Sequence, residues 1–64
     1  MTYLLYGIDL EGNKKLISNQ RFATEAKRQY DLNFNRYPRI EIMDCDKIIS
    51  PEVLTLQSEI EHHY

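Results

Sequence analysis

The run Phe22-Ala23-Thr24-Glu25-Ala26-Lys27-Arg28-Gln29-Tyr30-Asp31-Leu32-Asn33-Phe34-Asn35-Arg36-Tyr37, followed at once by Pro38, decides how this chain folds. At the helical step of about 100° per residue, Phe22, Ala23, Ala26, Tyr30, Phe34 and Tyr37 fall within an arc of roughly 120°, with only Asn33 among them. The stripe predicts an amphipathic helix over 22–37 whose aromatic side closes a core. Arg21, Thr24, Glu25, Lys27, Arg28, Asp31, Asn35 and Arg36 take the rest of the circumference, where Leu32 is the only large apolar residue. Full burial of Phe22, Tyr30, Phe34 and Tyr37 would contribute roughly 1.5–3 kcal/mol each, so loss of Tyr30 or Phe34 is expected to unfold the domain. Tyr37-Pro38 is a stop signal, because proline has no amide donor and its ring pushes the preceding residue out of the α region. Asn33 and Asn35 mark places where the helix could end earlier.

Toward the N-terminus, Tyr3-Leu4-Leu5-Tyr6-Gly7-Ile8 is rich in β-formers. The two-residue period puts Leu4, Tyr6 and Ile8 on one face and Tyr3, Leu5, Gly7 and Asp9 on the other. Both faces are partly apolar, as suits an inner strand or one covered on both sides. Asp9-Leu10-Glu11-Gly12-Asn13-Lys14 supplies turn residues, with Gly12 and Asn13 both able to take positive φ, and predicts a hairpin. The returning strand starts near Lys15. It either runs on to Phe22 or stops where Ser18 or Asn19 caps the helix.

Toward the C-terminus, Arg39-Ile40-Glu41-Ile42-Met43-Asp44 alternates as a half-buried strand does, and Ile48-Ile49 returns to β-branched residues. Ser50-Pro51-Glu52 is a helix start: a capping hydroxyl, proline at the first position and an acid near the positive end of the dipole. Val53, Leu56, Ile60 and Tyr64 then fit an arc of about 80°, which predicts a second, shorter amphipathic helix with these residues as its apolar side. The order strand, strand, helix, strand, helix implies an α+β fold: an antiparallel sheet with ββαβ order plus a short C-terminal helix, the central helix packed on one sheet face.

Sixty-four residues hold one core, so residues 1–64 are expected to form a single domain. A chain this small buries only about 60% of its unfolded surface, and reinforcement as a homodimer or by a permanent partner is expected. Cys45 is the only cysteine, which excludes a disulfide within one chain and fits a reducing, cytoplasmic setting. The apolar start stops at Asp9 without a basic lead, too short for a secretory signal or a bilayer span, so no membrane is expected. The net charge of −2 hides two blocks: +5 from Lys14 to Arg39 and −5 from Ile40 onward. Either the first block is a basic binding face or the two lie side by side and neutralise each other.

No catalytic constellation stands out. Two carboxylates flank Cys45 and disfavour its thiolate, and both histidines sit at the end of the chain. Glu59 with His62 or His63 has metal-ligand spacing but offers too few ligands, so neither metal nor cofactor is expected. Nor do Gly7 and Gly12 make a phosphate-binding loop. Lys14, Lys15, Arg21 and Lys27 could line nucleic-acid phosphates while Tyr3 or Tyr6 stacks on bases, yet an isoelectric point near 5.5 weighs against it.

The remaining signal is Leu32, which forms an i, i+4, i+8 row with Arg28 and Arg36 opposite the aromatic stripe. Glu59 and Glu61 add an acidic contact suited to a basic partner surface. The expected function is a small interaction module, not an enzyme, that docks on a larger protein and inhibits or adapts it. The alternative is a nucleic-acid-binding regulator using the 14–39 block. In layout alone the chain resembles small phage- or plasmid-encoded proteins that bind and inhibit a host enzyme.

Overall fold

The structure, a computed structural model, describes residues 2–62, without the side chain of His62. The elements run β1 (Tyr3–Ile8), β2 (Lys14–Gln20), α1 (Ala23–Asn33), β3 (Arg39–Asp44), β4 (Lys47–Ile49) and α2 (Pro51–His62). The strands form one antiparallel sheet in the order β2-β1-β3-β4, so the expected α+β layout holds, and Ile48-Ile49 belong to a fourth strand. β1 is an inner strand, paired on both sides.

Local chemistry makes the two hairpins. In the first, Gly12 at φ +88° donates its amide to the Asp9 carbonyl at 3.0 Å, while the Asp9 carboxylate accepts the amides of Glu11 and Asn13 at 2.9 Å each. The Asn13 amide bond is the main cause holding the Asp9 carboxyl below its ordinary pKa. The second hairpin turns at Cys45, which takes φ +57°, and its amide bonds the Thr2 carbonyl at 3.0 Å. Between β1 and β2 the register shifts at Leu5/Tyr6, pairing Leu5 with Ser18 and Tyr6 with Leu16. Ile17 is the extra residue of this bulge and packs against the core. β2 ends at Gln20, so neither Ser18 nor Asn19 caps α1.

Both helices lie on the sheet face that carries Tyr3, Leu5 and Ile42. These three form the core with Ala23, Ala26 and Leu54, supported by Ile17, Tyr30, Ile40 and Ile49. The buried side of α1 is therefore the predicted one, but its aromatic content is not. Phe22 precedes the first helical turn and is 58% exposed, and Phe34 follows the last and is 57% exposed. Phe34 instead rests against the half-buried Tyr30, with ring centroids 5.8 Å apart. Two alanines bring the helix backbone close to the sheet, and β1, β3 and α2 provide the bulk. α1 stops at Asn33, one of the two earlier ends the sequence marks and short of Tyr37; the chain then turns, with the Arg36 amide on the Asn33 carbonyl at 2.9 Å, ahead of Pro38. Tyr37 still reaches the sheet: its ring lies over Gly7, where a side chain would collide with it.

Among the described residues no helix covers the other sheet face, which carries Leu4, Tyr6, Leu16, Met43 and Ile48, with Leu16 50% and Ile48 66% exposed. Among the described residues, no helix is long and apolar enough to cross a membrane.

Candidate docking surface

The start of α2 follows the sequence: the Ser50 hydroxyl accepts the Val53 amide at 3.2 Å, Pro51 opens the helix and Glu52 lies in its first turn. Its rotation does not. Leu54 is fully buried, while Val53, Leu56 and Ile60 are 38%, 59% and 61% exposed. The predicted apolar side of this helix faces away from its own core. Tyr64, the fourth member of that stripe, lies outside the described residues.

Polar contacts from the Leu54 side set this rotation. Tyr3 donates its hydroxyl to Gln57 at 2.6 Å, and the Gln57 amide reaches Asp44 at 3.4 Å. Burial raises the Tyr3 pKa, and the nearby carboxylates of Asp44 and Glu61 push it the same way. Asp44 Oδ1 is buried without a partner among the described residues. One turn beyond Gln57, Glu61 accepts the Ala23 amide at 2.7 Å and the Thr24 amide and hydroxyl at 3.0 and 2.9 Å. α1 has no capping side chain of its own at Phe22, so the cap comes from the end of α2. Desolvation raises the Glu61 pKa, but the bonds from Thr24 and Ala23 outweigh it and leave the carboxyl below its ordinary value.

These contacts fix α2 antiparallel to α1, its C-terminal end at the start of its neighbour. On the outer side of α1, Arg28 and the 63% exposed Leu32 border an open groove of about 430 Å³ with Thr24, Lys27, Asp31 and, from α2, Ser58. Arg36 leaves the expected row, because it sits in the turn after Asn33 and bonds the Asn33 carbonyl at 2.9 Å. Glu59 is exposed on α2 beside Ile60, whereas Glu61 is turned inward as the cap. By helical phase, Glu52, Val53, Leu56, Glu59 and Ile60 share an outward arc of about 120°.

The basic block does not form one surface. Lys14 lies on the bare sheet face, paired with Glu41 at 2.8 Å and set 5.6 Å above the Tyr6 ring, so basic and acidic blocks meet directly there. Lys27 lies on the helical side, paired with Asp31 at 2.8 Å, and Lys15 and Arg21 are exposed. Among the described residues, no three His, Cys, Asp or Glu gather as metal ligands. His63 lies outside them.

Sequence periodicity missed Val53, Leu56 and Ile60 as surface residues. A signal was present in Leu54, Gln57 and Glu61, which share a helical side and include the two groups that bond to other elements. The chain matches no family model, no curated protein and no solved structure.

Proposed function

We propose that this chain is a protein-interaction module, not an enzyme, that docks its helical layer on a larger protein and blocks or adapts the surface it covers. The supporting observation is the outward apolar side of α2, where Leu56 and Ile60 keep more than half their surface in water although Leu54 on the same helix is fully buried. Contiguous apolar surface rimmed by charge marks contact sites for other proteins. Leu32 and Arg28 are exposed on the neighbouring α1, and Glu52 and Glu59 share the outward arc of α2 with these apolar residues. The exposed thiol of Cys45 suits a reducing, cytoplasmic setting.

Capture from a lysate of the source cells tests this reading, with bound protein and nucleic acid identified separately. Wild type and a Leu16→Asp variant of the bare sheet face should retain the same protein. An Arg28→Glu/Leu32→Asp variant and a Leu56→Asp variant should lose it while keeping the wild-type thermal midpoint. Equal capture by all four proteins would place the docking surface elsewhere, and salt-sensitive retention of nucleic acid alone would favour the basic 14–39 block.

A further inference from the structure

We infer that the helical layer also receives a second copy of this chain, related by a two-fold axis running along the groove between α1 and α2. This rests on the layer being a docking face and names one partner for it. The contact of Glu61 with Ala23 sets the levels of the two antiparallel helices. Counting inward at about 1.5 Å per residue, Arg28 stands level with Leu56, and Leu32 with Glu52 and Val53. A two-fold axis parallel to the helices keeps those levels and lays α1 of each copy over α2 of the other. Arg28 then stands within about one helical turn of both Glu52 and Glu59 across the interface, and Leu32 meets Val53 and Leu56. Each contact is made twice.

Charge selects this axis over the other one available to two flat helical layers. Turning the second copy about an axis across the helices at the level of Arg28 would set α2 on α2, with Glu52 of each copy facing Glu59 of the other, and α1 on α1, with Arg28 facing Arg28. Like charges so placed oppose association. Among the described residues, Arg28, Glu52 and Glu59 have no ion pair within the chain, so their charges remain to be matched from outside. Two side-by-side helices of 11 and 12 residues offer a contact of modest area, suited to a reversible dimer. Because the face is shared, a larger protein has to displace the second copy.

Sedimentation equilibrium of the full chain from micromolar to millimolar concentration tests the inference. Wild type should move from monomer to dimer. Arg28→Glu alone, and Glu52→Arg with Glu59→Arg, should each weaken the dimer at least tenfold with unchanged circular dichroism, and mixing the two variants should restore a dimer of one copy of each. A wild type that stays monomeric, a dimer indifferent to these changes and to Leu56→Asp, or a mixture that fails to associate overturns the inference. Nile red separates this failure from that of the docking reading. A monomer that binds the dye and loses it on Leu56→Asp/Ile60→Asp still has an open docking face, and one that binds none overturns both.

Discussion

The Glu61 carboxylate, in the last turn of α2, accepts the amide proton of Ala23 at the start of α1 at 2.7 Å, so each helix fixes the other. Replacing a capping acceptor by alanine costs about 1 kcal/mol, and Glu61→Ala should lower the unfolding free energy by that amount. Faster hydrogen exchange should appear at Ala23 and Thr24. Because the folded carboxyl titrates below its ordinary value, the stabilisation is complete above about pH 4.5 and fades as pH falls through the lowered pKa. The gap in thermal midpoint between wild type and Glu61→Gln should therefore narrow in acid.

Leu54 and Leu56 are two residues apart in one helix and should behave oppositely. Leu54 is completely buried, and Leu54→Ala should cost about 2–5 kcal/mol, enough to unfold a domain of this size. Leu56→Asp, at 59% exposure, should stay within about 0.5 kcal/mol of wild type. Phe34→Ala belongs with the mild group, contrary to the expectation from periodicity. Urea titrations of the three variants check the rotation of α2 and the end of α1 together.

Gly7 leaves the space that Tyr37 fills. A methyl group there would come within 2.5 Å of the ring, so Gly7→Ala should destabilise the fold by about 1–3 kcal/mol. In a Tyr37→Ala background the same change should cost far less, and a double-mutant cycle by urea unfolding gives the coupling. Additive effects would show that the ring does not lie on Gly7.

The two hairpin turns differ in one residue choice. Cys45 holds φ +57° with a side chain, whereas Gly12 holds φ +88° without one. Cys45→Gly should raise stability by about 0.5–1 kcal/mol, and Gly12→Ala should lower it by about 1 kcal/mol. Thermal unfolding under reducing conditions measures both.

What the sequence made legible was written in local chemistry. Asp9 and Gly12 announce the first hairpin, the alternation from Arg39 to Asp44 announces β3, and Ser50-Pro51-Glu52 announces α2, each within a few residues. The phase of α1 was also readable through Ala23, Ala26 and Tyr30. Its start was not, because periodicity continues through Phe22 whether or not the backbone does; its end was marked by Asn33, although hydrophobic spacing runs on through Phe34 and Tyr37. The rotation of α2 lay furthest out of reach. It is set by bonds from Gln57 to Tyr3 and from Glu61 to Ala23, partners 54 and 38 residues away in the chain. The docking surface inherits that difficulty, since a stripe that reads as core becomes surface only once those bonds are known.

On the proposed reading, this protein meets others through its helical layer and not through the bare sheet face. Methyl NMR spectra of the wild-type chain, recorded on dilution from millimolar to micromolar concentration, test it most directly. Dilution should shift the signals of Leu32, Val53, Leu56 and Ile60 and leave those of Leu4, Leu16 and Ile48 in place. Shifts confined to Leu4, Leu16 and Ile48 would contradict it.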